Sequence, residues 1–149
     1  MSFTNGDFET GNLTGWTAIT GGDTPGTVAV NTDAKQTGTY GCELKTSCQA
    51  AYTCAAGIYS NDIATSFINF NVPYRMVAGS AGVLHVYMRV HNSSHAHVWL
   101  EVATLSWSSG SWTGGVTVTK SGISLGSNHW DEDGTTSIKV TLTYNAVVI

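Results

Sequence analysis

Charge is scarce in this sequence. Asp, Glu, Lys and Arg make up 11% of its 149 residues, less than half of the roughly 25% in an average soluble domain. The six Lys and Arg residues are scattered and the formal net charge is −4, so the basic patch that nucleic acid or an anionic membrane surface needs is missing. No run of 18 apolar residues occurs, which excludes a membrane-spanning helix. Residues Met1 to Asn5 lack the basic and apolar regions of a signal peptide, so an unprocessed secreted precursor is not expected. The three cysteines, at 42, 48 and 54, form no Cys-x-x-Cys pair, which argues against a zinc ribbon. Catalytic signatures are missing too. There is no Gly-x-Ser-x-Gly elbow, no His-Glu-x-x-His and no carboxylate pair spaced for glycoside hydrolysis. No glycine-rich phosphate loop precedes a helix. A non-catalytic protein is expected.

What is present points to β structure. The hydrophobic fraction of 42% supports one core, and 17 Gly, 21 Thr and 15 Ser favour short strands and turns over helices. Candidate strands are 3–9, 15–20, 27–31, 39–46, 55–59, 63–73, 82–91, 97–107, 112–121 and 136–148, with Pro73 expected to end one of them. Ile138, Val140, Leu142 and Tyr144 share one face opposite Lys139, Thr141 and Thr143. Ile68, Phe70 and Val72 likewise oppose Phe67, Asn69 and Asn71. One apolar face per strand predicts an all-β fold, a two-sheet antiparallel β-sandwich of about eight to ten strands. Cys42 alternates with Tyr40 and Leu44 and reads as a small buried hydrophobe. Cys48 and Cys54 bracket a short loop, and both a disulfide and reduced thiols fit the spacing.

The opening Asn5-Gly6-Asp7-Phe8-Glu9-Thr10-Gly11-Asn12-Leu13-Thr14-Gly15-Trp16 resembles the start of carbohydrate-binding-module-like jelly rolls of the galactose-binding-like superfamily. Thr37-Gly38-Thr39-Tyr40-Gly41-Cys42-Glu43-Leu44 is similar to a strand of that family, and Tyr144-Asn145-Ala146-Val147-Val148-Ile149 to its closing strand. The resemblance implies a single jelly-roll domain over 1–149, found alike in glycosidases, adhesins, lectins and phage proteins. It also implies a structural calcium (Ca2+) site with Glu9 at the first position and Asn145 at the last, where Asn in place of Asp removes one negative charge. Trp16, within the opening motif, is expected in the core.

The stretch 83–107 reads as a hairpin. Leu84, Val86, Met88 and Val90 alternate with His85, Tyr87, Arg89 and His91, and His97, Trp99 and Glu101 follow after a turn. If 92 and 96 pair across three residues, Arg89 faces Trp99 and Tyr87 faces Glu101. One sheet face then carries His85, Tyr87, Arg89, His91, Trp99 and Glu101. Such a surface suits a polysaccharide or surface glycan, with rings for the apolar face of a sugar and charged groups for its hydroxyls. Two other readings stay open: a solvated face where Arg89 covers Trp99, and a face buried against another subunit.

Trp107, Trp112 and Trp130 lie near loop ends and are candidates for a ligand platform or an interface patch at one end of the sandwich. Low charge and surplus aromatics predict self-association, a trimer before a dimer, or docking on a larger particle such as a capsid. His91, His95 and His97 cluster at the hairpin tip. A symmetry axis would bring His95 and His97 from several chains around a transition metal, and exposed turn histidines are the simpler reading. The acidic loop 131–134 lacks the distal Glu and flanking helices of an EF-hand and reads as a solvated turn. A polar, aromatic surface without a leader fits an excised extracellular module or a virion-surface protein.

Overall fold

The computed structural model describes residues 3–22, 26–46, 54–78, 82–107, 110–142 and 146–149. Its strands are β1 (Trp16–Gly22), β2 (Thr27–Asn31), β3 (Gly41–Lys45), β4 (Cys54–Ser60), β5 (Ile63–Ala64), β6 (Asn69–Ala78), β7 (Gly82–His91), β8 (His97–Trp107), β9 (Thr113–Thr119), β10 (Thr135–Thr136), β11 (Ile138–Leu142) and β12 (Ala146–Val148). Two five-stranded sheets have the orders β1-β4-β11-β7-β8 and β2-β3-β12-β6-β9, and β5 pairs with β10 in a two-stranded ribbon. All strand pairings are antiparallel. Among the described residues the only helical segments are single 3-10 turns at Thr65–Phe67 and Lys120–Gly122. No helix among the described residues is long and apolar enough to cross a membrane.

Alternation explains the core. Along β7, Leu84, Val86, Met88 and Val90 are fully buried, while His85, Tyr87 and Arg89 between them are half-buried on the opposite face. Ile138, Val140 and Leu142 of β11 and Ile58 of β4 extend that inner face. The second sheet answers with Cys42, Leu44, Phe70, Val72, Tyr74 and Val118 in the same apolar cluster. Cys42 takes its expected place. Burial first, and the charge of Glu43 second, push its thiol up to about 12. Iodoacetamide at pH 8 is therefore expected to leave Cys42 unlabelled in the folded protein and to label it in urea, as read by peptide mass spectrometry. Labelling at the rate of a free thiol without urea would overturn that burial.

Four strand expectations differ, among them 63–73, which divides into β5, a 3-10 turn and the start of β6. Residues 3–14 form turns, because Asn5 and Phe8 take positive φ (52° and 60°) and side chains satisfy the backbone locally. Asn5 Oδ1 accepts from Thr10 N–H (3.1 Å), its amide donates to the Asn12 carbonyl (2.8 Å), and Asn12 Oδ1 accepts from Thr14 N–H (2.8 Å). The coil buries Phe8 and brings the Phe3 and Phe8 rings within 5.7 and 5.5 Å of Trp16, so Trp16 packs on the core as expected. Pro73 does not end a strand. It sits in β6 at a bulge opposite β9, where Gly115 has φ +67° and any Cβ would clash with the Val72 carbonyl oxygen. A left-handed glycine and a proline without an N–H are the residues such a bulge accepts. The stretch 136–148 divides into β10, β11 and β12, with β11 and β12 in different large sheets.

Candidate functional site

The β7–β8 hairpin forms as its spacing demands. Asn92 N–H donates to the Ala96 carbonyl (3.0 Å), and Asn92 Oδ1 accepts from Ser94 and Ala96 N–H (2.9 and 3.1 Å). His95 closes the three-residue turn with φ 59°. Arg89 then pairs with Trp99 and Tyr87 with Glu101 in the expected register. Beyond them the register shifts, Val86 pairs with Ala103, and His85 faces Thr104. Val102 is the extra residue of that bulge.

Sheet order adds residues that the hairpin alone does not reveal. Tyr59 of β4, Lys139 of β11, Tyr87 of β7 and Glu101 of β8 are successive partners across the outer face. The Lys139 ammonium lies 4.4 Å from the Tyr87 ring centroid and 4.5 Å from that of Trp99. Burial lowers its pKa from the ordinary lysine value. The Trp99 ring reaches to 6.2 Å from Tyr59 at an angle of 59°. Among the described residues Trp99 is the one exposed large hydrophobic, at 36%. Beside it His85 Nδ1–H donates to Glu101 Oε1 (2.9 Å), and Thr104 donates to the same oxygen. The His85 bond first, and the Thr104 bond second, hold the Glu101 carboxyl below the usual range. The site thus offers two tilted rings, with the ammonium over the Trp99 ring and an imidazole and a carboxylate beside it.

Two residues expected on this surface serve elsewhere. Arg89 does not cover Trp99. Its guanidinium bridges Asp62 (2.9 Å) and Asp131 (3.3 Å), the latter with only 5% of its side chain exposed. His91 is only 8% exposed, and its ring stacks on His95 and on His129, both at 5.5 Å. His129 was not singled out by the sequence, and its backbone bridges His91. His95 pairs with Glu132 (3.0 Å) and His97 with Asp131 (3.4 Å), so the acidic loop closes on the hairpin tip. No group of three or more His, Cys, Asp or Glu among the described residues is arranged to hold a metal.

Glu9 faces hydrogen-bond donors. Its carboxylate accepts from Thr39 N–H (2.9 and 3.0 Å) and Tyr40 N–H (3.0 Å). A hard cation needs oxygen donors around such a carboxylate, whereas these N–H dipoles point their positive ends at it. The described residues therefore do not fit calcium at Glu9, and Asn145 lies outside them. The same holds for Cys48, and for the side chains of Cys54 and Trp107. Trp112 and Trp130 do not form one patch. Arg75 lies 5.6 Å from the Trp112 ring and Lys120 lies 5.5 Å from the Trp130 ring. Trp112 immediately precedes β9 and Lys120 follows it, a strand about 20 Å long.

A cleft of about 820 Å³ lies beside the opening coil and is lined by Phe3, Asn5, Asp7, Asn61, Asp62 and Asn71 among others. Its Phe3 ring is turned onto Phe70 at 5.7 Å, so it offers no free stacking face comparable to Trp99.

No protein-family model and no curated protein sequence matches this chain. Solved structures do. The chain is 11% identical to the C-terminal family 22 carbohydrate-binding module of Clostridium thermocellum Xyn10B, covering 94% of this chain and 84% of that one with a TM-score of 0.57. It is 16% identical to the CBM22-1 xylan-binding domain of Paenibacillus barcinonensis Xyn10C, covering 95% and 85% with a TM-score of 0.59. It is 12% identical to the enzymatically active domain of bacteriophage CBA120 tailspike protein 4, covering 97% of this chain but 20% of that one, with a TM-score of 0.55. At these identities the likeness is one of fold: this chain has the β-sandwich of carbohydrate-binding modules over nearly its whole length.

Proposed function

We propose that this protein is a non-catalytic carbohydrate-binding module that holds a polysaccharide or surface glycan on the outer face of the β1-β4-β11-β7-β8 sheet. The observation that carries the reading is Trp99, exposed and angled against Tyr59, with His85, Glu101 and Lys139 at hand. A pyranose has an apolar face that stacks on such rings and hydroxyls that take charged hydrogen bonds. Two of the solved structures of this fold are a carbohydrate-binding module and a xylan-binding domain, which supports the reading.

Affinity electrophoresis on a panel of polysaccharides tests it. The wild-type protein is expected to be retarded by at least one polymer. Trp99→Ala is expected to weaken that binding at least tenfold, about 1.4 kcal/mol, with unchanged circular dichroism. A Trp99→Ala protein that binds as tightly as the wild type would move the site off this face.

The tailspike likeness favours a second reading for context, display on a virion surface, where a glycan-binding sandwich meets the host envelope. An extracellular setting fits the same face. Particle fractionation, with the protein found on virions or in medium, separates the two.

A further inference from the structure

We infer that the sugar this face prefers is acidic, a uronic-acid residue whose carboxylate is taken by Lys139. The inference rests on the carbohydrate reading and narrows its ligand.

The ion pairs of the described residues account for the other charges nearby. Glu101 is turned to His85, and Arg89 is held between Asp62 and Asp131. Lys139 enters none of the described pairs, although it stands mid-face between Tyr59 and Tyr87 as their register partner. A half-buried ammonium without a counter-ion carries an uncompensated desolvation cost. The rings of Tyr87 and Trp99 offset part of that cost through their π faces. A carboxylate would offset far more, because a charge-assisted hydrogen bond is about twice as strong as a neutral one. A pyranose resting on Tyr59 and Trp99 lies beside this ammonium, and in a uronic acid the carboxylate projects from the ring edge. Glu101, the nearest acidic residue on the face by register, already has Oε1 accepting from both His85 and Thr104. It is therefore a poor substitute for an incoming anion. The arrangement presents the uronate with a ring platform and a cation that enters no ion pair among the described residues, where a neutral sugar would leave that cation without an anion.

Isothermal titration at pH 7 and low salt decides this, using polygalacturonate, the same polymer after carboxyl reduction, and neutral xylan. Wild-type protein, Lys139→Met, Lys139→Arg and Trp99→Ala are compared, with folding checked by circular dichroism. The expected result is at least tenfold tighter binding of polygalacturonate than of its carboxyl-reduced form. Lys139→Met is expected to erase that preference while keeping residual binding, Lys139→Arg to keep the preference, and Trp99→Ala to lose binding to both polymers. Should Lys139→Met fail to fold, Lys139→Gln takes its place. Equal affinity for the acidic and reduced polymers, or a preference that survives Lys139→Met, overturns the uronate assignment and leaves the carbohydrate reading standing. Absence of binding to all three polymers and to a wider glycan array overturns both.

Discussion

Arg89→Met is expected to lower the unfolding free energy by about 3–5 kcal/mol, the loss typical when one partner of a buried ion pair is removed. Asp131 is the reason. Its side chain is only 5% exposed, Arg89 holds Oδ2, and Oδ1 has no hydrogen-bond partner among the described residues, with His97 at 3.4 Å. Methionine preserves much of the arginine stem, so the loss reports the stranded carboxylate rather than packing. The second contact, to Asp62, adds little, because that carboxylate is 53% exposed and such pairs contribute about 0–1 kcal/mol. Urea denaturation measures the effect, and adding Asp131→Asn to Arg89→Met should recover part of it by removing the buried charge. A loss below about 1 kcal/mol would give Arg89 the standing of a surface ion pair.

Leu84→Ala is expected to destabilise by about 2–5 kcal/mol. Leu84 is fully buried and lies in register between Leu142 and Leu105, both buried as well. Three leucines side by side across β11, β7 and β8 leave a hole when the middle one is truncated, since its neighbours are fixed to strands. Leu84→Met keeps the volume and should cost less than about 1.5 kcal/mol. A small loss for alanine, read from the urea midpoint at unchanged slope, would show that the sheets close over the gap.

Alternating positions with one buried face were legible in the sequence, because a register slip would turn Leu84, Met88 or Val140 into water. The hairpin register was legible for a related reason: the turn length at Asn92–Ala96 fixes which residues meet. Strand order was not. Lys139 was read on an outward face, yet nothing local says that β11 lies between β4 and β7, which is what brings Tyr59, Lys139 and Tyr87 together. Arg89 was read as facing a ligand for the same reason, since its partners Asp62 and Asp131 are distant in the chain. Residues 3–9 misled because Phe3 and Phe8 look like strand residues, whereas the asparagine hydrogen bonds around them favour a coil. The Val102 bulge left no local signal, and it decides that His85 stands opposite Thr104.

The order in which the chain is made gives the sheet topology a further meaning. β11 is the middle strand of one large sheet and β12 the middle strand of the other, and both follow every other strand in sequence. Before residues 138–148 join, the described pairings reduce to separate ribbons: β1 with β4, β7 with β8, β2 with β3, β6 with β9, and the short β5 with β10. A two-stranded ribbon is marginal in water on its own. A ribosome that adds about 5–20 residues per second therefore releases these ribbons with their inner edges open. The sandwich closes only once the last strands arrive to join them, in a step dominated by distant contacts and correspondingly slow, on the order of milliseconds to seconds.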